Sequence, residues 1–340
     1  MSADAEKPVV SIVATFHNIK PALIRRCVDS LVAQRFSKSY ELILVDDCST
    51  DDTLTILRSY QGYDFVTLLE LSTNVGAGGA RNAGIRAARA KYVTFVDGDD
   101  FVSPYYLGLL VGTQAATSAQ FVVSKCVIIP YNRVNKERDW KRDADVVVMD
   151  RSQYLEALCY EEVTESPWGK LAPRELYLQH PFPEGMSYED VAIAAEHALC
   201  CERFAFVPTV VYGYVMRPES VVHKSVAPFK QATDFRNAIT AMLNPIARTM
   251  GDDALPLCYR RCLELARLHS LLKVTDGKPS EVRAMDRKAI DQIRASLPAI
   301  AKDPKAPLRN VARFRILAKS PAMYDKLFGA FEAIKKGVER

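Results

Sequence analysis

The stretch KYVTFVDGDDF runs an apolar segment, Tyr92 to Val96, into three carboxylates, Asp97, Asp99 and Asp100. Like charges this close repel, so a positive partner is expected beside them. Hard divalent cations such as Mg2+ or Mn2+ take carboxylate oxygens and keep positions open for substrate phosphates. A solvated acidic turn accounts for the triplet alone equally well. A second acidic pair, Glu189 and Asp190, stands in MSYEDVAI. A positioned carboxylate can take a proton from a hydroxyl. Ser187 and Asp190 also have capping-box spacing, and acids suit a helix N-terminus. On sequence mechanics alone the cap is the stronger reading. The glycine-rich stretch GAGGARNAG fails as a dinucleotide fingerprint, because Arg81 stands where the third glycine is needed. No GxxxxGK[ST] phosphate loop occurs.

The elements that must position these groups alternate. Strands are expected at Val9 to Thr15, Glu41 to Val45, Phe65 to Leu69 and Tyr92 to Val96. Between them lie a helix with Leu23, Ile24, Cys27, Val28, Leu31 and Val32 on one face, a short helix capped by Ser49, and a helix over Arg81 to Ala90. Continuous apolar strands alternating with helices predict an α/β fold with a mostly parallel, doubly wound sheet. Ligands bind such sheets at the carboxyl ends of the strands. That rule gathers residues 16–18, 46–49, 74–82 and 97–100 into one place. Further strands are expected at Phe121 to Ile129, Val146 to Met149 and Val207 to Val215, a loop-rich segment around Trp168, and a helix from Ser187 to Cys200. After about Lys224 the pattern turns to long helices, Phe229 to Met250 and Ala254 to Leu272, a C-terminal α-helical extension. Domains are therefore drawn at 1–225 and 226–340.

Composition bounds the rest. Hydrophobic content of 49% and charged content of 25% suit a globular chain, and a net charge of +4 is too mild to point to nucleic acid. No apolar run reaches bilayer length, and MSADAEKPVV has no signal-like core, so a cytoplasmic protein is expected. The eight cysteines form no CxxC pair and are read as reduced thiols.

Four stretches occur in order: SIVATFHN, ELILVDDCSTDDT, NVGAGGARNAGIRAARAKYVTFVDGDD and MSYEDVAI. Together they resemble the family-2 glycosyltransferases of GT-A (Rossmann-like) fold, which use nucleotide sugars and invert the anomeric centre. The resemblance covers Val9 to about Ser225. It implies that Thr15, Phe16 and Asn18 line the nucleoside and that Asp47 accepts the uracil N3–H. Arg81 and Asn82 would lie near base and phosphate, and Asp97 near sugar and ribose. Asp99 would bind Mn2+ or Mg2+, with His223 as a further ligand. Arg217 would contact the diphosphate. Trp168 and Lys170, in SPWGKL, match a segment near the sugar or acceptor. Asp190 would be the general base, with Glu189 supporting it or holding an acceptor hydroxyl. Bland readings stand beside several of these: Phe16 and Trp168 as core, Arg81 on a solvated helix face, Asp46 or Asp47 fixing a turn, and His223 as a surface residue.

The expectation is a metal-dependent inverting glycosyltransferase moving sugar from a nucleotide-diphospho-sugar, a UDP-sugar for preference, to a glycan or lipid-linked acceptor in polysaccharide or glycoconjugate synthesis. A catalytically silent nucleotide-sugar-binding scaffold and a sugar nucleotidyltransferase are the alternatives. The latter normally carries a glycine-rich stretch after its first strand, where this chain has TFHNIKP. At the C-terminus, Tyr324, Leu327, Phe328, Phe331, Ile334 and Val338 form a stripe near Lys326, Lys335, Lys336 and Arg340. That stripe suits peripheral contact with an anionic membrane, packing on its own domain, or a homo-oligomer contact.

Overall fold

Apolar runs with short helical connections build the first half of the sheet. In chain order these are β1 (Val10–Phe16), α1 (Pro21–Val32), β2 (Tyr40–Asp46), α2 (Thr53–Arg58), β3 (Val66–Glu70), α3 (Gly76–Ala87) and β4 (Tyr92–Asp97). Strands β3, β2, β1 and β4 lie side by side, all parallel. Register pairs Thr15 with both Val45 and Asp97, and Phe16 with Asp46, which brings the three strand ends level. Pro21 opens α1 at its first turn, and Leu23, Ile24, Cys27, Val28 and Leu31 bury its inner face. The structure comes from a computed structural model and describes residues 7–134, 138–141, 145–217, 228–273 and 278–329.

Beyond β4 the chain continues through β5 (Phe101–Val102), α4 (Tyr106–Thr117), β6 (Phe121–Pro130), β7 (Val147–Asp150), α5 (Arg151–Cys159), β8 (Lys170–Pro173), α6 (Arg174–Gln179), α7 (Glu189–Leu199) and β9 (Arg203–Met216). The sheet order is β3-β2-β1-β4-β8-β6-β9-β5, with β7 on β9. β6 and β9 are parallel, while β8, β5 and β7 join antiparallel. The segment expected to be loop-rich thus supplies β8, between β4 and β6. Two expected caps also change. α2 begins at Thr53, whose amide is taken by Asp51, and the Ser49 hydroxyl accepts from the Asn18 amide instead. α7 is preceded by Tyr188 at φ 63°, so Ser187 is not its N-cap residue.

The glycine-rich stretch lies inside α3 and serves packing. A Cβ on Gly84 would stand 2.3 Å from Val13 Cγ1, and one on Gly78 2.4 Å from the Pro183 carbonyl oxygen. Absence of side chains there lets α3 lie close on β1 and on the 182–185 loop. At the amino end of the strands, the buried Glu41 accepts from the Ser11 hydroxyl, the Arg89 and Ala90 amides and the Arg89 guanidinium. Burial raises the Glu41 pKa, but these donors outweigh it and hold the carboxyl below its ordinary value.

The chain divides into two compact units, residues 1–154 with 165–224, and residues 155–164 with 225–340. The second carries α8 (Pro228–Met250), α9 (Leu255–Leu272), α10 (Pro279–Ile300), α11 (Leu308–Lys319) and α12 (Pro321–Tyr324). Its core holds a charged group: Arg260, fully buried, pairs with Glu264 at 2.6 Å and donates to the Leu158 carbonyl at 2.8 Å. Arg267 reaches Glu161 and Tyr160 reaches Asp303, each at 2.7 Å, so the 155–164 segment is stitched into this unit.

The C-terminal stripe is partly turned inward. Tyr324 is buried against His269 and accepts from Arg313, and Phe328 packs on Tyr324, whereas Leu327 is exposed. Phe331, Ile334, Lys335, Lys336, Val338 and Arg340 lie outside the described residues. Replacing Gly84 by Ala should push α3 off Val13 and lower stability by about 1–3 kcal/mol, the usual penalty for overpacking. Urea denaturation measures it, and a wild-type midpoint would contradict the close-approach account.

Candidate active site

The carboxyl ends of β1, β2 and β4 place most of the expected residues in the first unit. Asn18 adopts φ 49° just beyond β1, and its side-chain oxygen accepts from the Thr50 amide at 2.8 Å. That bond ties the loop after β1 to the loop after β2. Thr15 sits on β1 opposite Asp97. The ring of Phe16 is 1% exposed and packs over Gly98, so the structure makes it core and offers no face for a base to stack on.

The paired acids after β2 divide their work. Asp46 Oδ2 accepts from the Ser49 amide at 3.1 Å and fixes the turn. Its Oδ1 is buried with no hydrogen-bond partner among the described residues. Asp47 Oδ1 accepts from the Val75 amide, just ahead of α3, at 2.8 Å. The Asp47 carbonyl takes His17 and Asn74.

The DGDD turn sorts its three carboxylates onto three partners. Asp97 Oδ1 accepts from Arg81 Nη2 at 2.9 Å. Asp99 Oδ2 pairs with Arg217 Nη2 at 2.5 Å. Asp100 is fully buried and accepts from the Tyr212 hydroxyl and the Val215 amide, each at 2.7 Å. The Tyr212 hydroxyl also accepts from the Asp97 amide at 3.1 Å. Burial, then the neighbouring Asp99 and Asp97, push the Asp100 carboxyl well above the ordinary carboxylate range. Asp99 is raised by burial and by Asp97, with Arg217 working against them.

Arg81 links this turn to the second acidic pair. Its guanidinium is buried and donates from Nη1 to Glu189 Oε1 at 2.5 Å, opposite its bond to Asp97. This overturns the solvated-face reading; the charge of Arg81 is committed within the protein. Asp190 follows Glu189 at the start of α7, and its Oδ1 accepts from the Val191 amide at 2.8 Å. Burial and the charge of Glu189 hold the Asp190 carboxyl up to about 7, with Arg81 opposing. Asp190 lines a narrow cleft with Glu165, Lys170, Tyr177, Phe182 and His197. Burial lowers Lys170 to about 8, against the pull of Glu165 and Asp190, and lowers His197 to about 4.

Two other expected contacts become internal supports. The Asn82 side chain donates to the Phe182 carbonyl at 2.8 Å and accepts from its amide at 3.0 Å, which pins the loop leading to α7. Trp168 is buried and stacks on Tyr212, centroids 4.6 Å apart, and on Tyr214 at 5.7 Å. Both side chains are thus committed to contacts within the protein. His223 lies outside the described residues. Sequence reasoning missed Tyr212, although the alternating YGY of β9 carried a signal, and missed Glu165, whose signal is absent.

The donor set suits a hard cation. Asp97 and Asp99 offer oxygen only, and both side chains are partly exposed, at 28% and 18%. Among the described residues no three His, Cys, Asp or Glu side chains cluster as a closed metal site. An ion that takes its remaining ligands from phosphates and water fits such an open pair.

The acids thus stand at the carboxyl ends of parallel strands in an α/β sheet, where such folds bind ligands. The chain belongs to glycosyltransferase family 2, whose model, described as Glycosyl transferase family 2, matches residues 11–180, half of the chain. It is 30% identical over 238 residues to the uncharacterized glycosyltransferase EpsJ of Bacillus subtilis, covering 67% of this chain and 66% of that one. It is 28% identical over 224 residues to the succinoglycan biosynthesis protein ExoO of Rhizobium meliloti, covering 63% and 62%. The matched stretches thus span just under two thirds of either relative. A crystal structure of S. aureus TarS 1-349 in complex with UDP-GlcNAc superposes with TM-score 0.63 at 20% identity, covering 92% of this chain and 91% of that one. The shared fold is the GT-A fold.

Asp190 also makes a stability prediction. Its folded pKa of about 7 lies above the ordinary 3.8, so the folded chain holds a proton that the unfolded chain releases. Folding is unpenalised below 3.8 and loses stability as pH rises from there through about 7. Asp190→Asn should therefore gain on the order of 1–3 kcal/mol over wild type at pH 8, and nothing near pH 3.5. Denaturant melts at the two pH values test this, and equal gains at both would refute it.

Proposed function

We propose that the chain is an inverting glycosyltransferase that moves a sugar from a nucleotide-diphospho-sugar, UDP-linked, to an acceptor hydroxyl on a glycan or lipid-linked glycan in polysaccharide synthesis. One observation carries the reading: Arg81 joins Asp97 of the DGDD turn to Glu189, beside Asp190. The acids suited to a diphosphate's counter-ion and the acid suited to a base thereby belong to one site. The TarS structure with UDP-GlcNAc, and a structure of mannosyltransferase PcManGT from Pyrobaculum calidifontis with GDP-Man and Mn2+, TM-score 0.53, support a nucleotide-sugar donor.

Asp190 is the base. A carboxyl near neutrality both holds and releases protons at working pH, which is what a general base needs. It takes the proton of the acceptor hydroxyl as that oxygen attacks the anomeric carbon, while the bond from that carbon to the diphosphate oxygen breaks on the opposite face. One displacement inverts the centre and needs no covalent enzyme intermediate. Glu189 is held by Arg81, which it shares with Asp97, so it serves Asp190 by position and by its charge. Asp47 is the group assigned to the uracil N3–H, and Thr15 and Asn18 shape the same rim. Asp99, assisted by Asp97, would hold Mg2+ or Mn2+, which when bound supplies positive charge to the departing diphosphate.

The second unit supplies a partner surface. Leu308 is 85% exposed, Met323 53% and Leu327 45%, interspersed with exposed Arg309, Arg315, Lys319 and Lys326. No acid occurs from Leu308 to Tyr324, and Asp325 is taken by His269 and Lys273. Apolar side chains interspersed with bases, with no acid in that stretch of sequence, suit the surface of an anionic bilayer. Among the described residues no helix is long and apolar enough to cross one.

UDP and UDP-sugars with Mn2+ should raise the melting temperature, through ligand binding to the folded state. Asp99→Asn should lose the Mn2+-dependent part. Asp190→Asn should keep it and lose about 10²–10⁴-fold in transfer. Transfer by wild type should fall as pH drops below about 7, as Asp190 takes up its proton. Near-normal transfer by Asp190→Asn would move the base elsewhere. In sedimentation with vesicles, the chain should pellet with phosphatidylserine-containing vesicles and not with phosphatidylcholine alone. Equal behaviour with both would remove the bilayer assignment.

A further inference from the structure

We infer that Arg217 is an internal counter-ion that occupies Asp99 until a donor's diphosphate draws it away, so that cation loading waits for the nucleotide. This rests on the reading of Asp99 as the cation-holding acid.

The three carboxylates of the DGDD turn are not equally committed. Asp97 shares Arg81 with Glu189, and Asp100 is hydrogen-bonded to Tyr212 and Val215 in the interior. Asp99 has Arg217, and the pair is partly exposed, at 18% and 19%. Arg81 is held by two carboxylates and Arg217 by one. Arg217 Nε is buried and has no hydrogen-bond partner among the described residues. The guanidinium thus keeps unused donors on a planar fork whose geometry matches a phosphate. A diphosphate beside Asp99 would satisfy donors that the carboxylate leaves unmet.

Charge favours the exchange. A divalent cation on Asp99 with Arg217 still in place would set two positive groups on one carboxylate, whereas Asp97 shares its cation, Arg81, with Glu189. Release of the guanidinium therefore strengthens the site for the ion, and the diphosphate is an anion that can take it. By linkage, whatever draws Arg217 off Asp99 tightens cation binding, and a bound cation tightens diphosphate binding by the same factor. The backbone need not move. Val215, two residues earlier, is anchored by its amide to Asp100, so rotation of the long Arg217 side chain suffices.

The experiment is a titration of the full chain with Mn2+, read by the electron paramagnetic resonance signal of the free ion, without nucleotide and with UDP. Wild type should bind Mn2+ weakly alone and about tenfold or more tightly with UDP. Arg217→Gln should bind Mn2+ about tenfold more tightly than wild type without nucleotide. Arg217→Lys keeps the charge and should keep the weak nucleotide-free affinity. Circular dichroism melts establish that each variant is folded. Equal nucleotide-free affinity in wild type and Arg217→Gln, with Asp99→Asn weakening both, would overturn the exchange and leave the cation reading standing. Unchanged Mn2+ affinity in Asp99→Asn would overturn the cation reading and the exchange together.

Discussion

The guanidinium of Arg81, clamped between Asp97 and Glu189, is the interaction on which the site depends. It joins the end of a sheet strand to the start of a helix 108 residues away in sequence from its own position. Removing one partner of a buried ion pair typically costs about 3–5 kcal/mol, because the other charge is left uncompensated. Beside the clamp, Asp190 keeps its proton first because it is buried and then because of the charge of Glu189, while Arg81 works against both.

The DGDD turn follows a similar economy. Gly98 has no side chain because the Phe16 ring fills its space, Cδ1 lying 2.3 Å from where a Cβ would stand. The residues on either side are therefore fixed in direction: Asp97 toward Arg81, Asp99 toward Arg217. Asp100 turns inward and is held by Tyr212, whose single hydroxyl also takes the Asp97 amide. One phenol thus sets the pitch of the whole turn from beneath, and Trp168 stacks against its ring.

Much of this was legible in sequence. The alternation of strand and helix through β4, and the convergence of four loops at one sheet edge, follow from local pattern and a general rule of parallel sheets. What stayed hidden depends on partners far along the chain. Arg81 reads in sequence as a residue near base and phosphate or on a solvated face, because nothing nearby announces Glu189. Asn82 looked like a ligand group, but its partner is the Phe182 backbone. β8 was masked by its proline-rich surroundings and its length of four residues, too short for a periodic signal. The capping-box spacing at Ser187 was real, but the left-handed backbone of Tyr188 moves the helix start past it.

The ten-residue excursion Leu155–Thr164 has a bearing on biosynthesis. It belongs to the helical unit, yet it is translated long before that unit exists; the arginine that takes the Leu158 carbonyl comes 102 residues later. On the ribosome the sheet can assemble, but residues 155–164, the end of α5 and the turn after it, must wait for the last third of the chain to emerge. A stop codon near residue 225 would therefore yield no tidy minimal enzyme. It would yield a sheet whose α5 end lacks Arg260, Arg267 and Asp303, the side chains that hold residues 158–161.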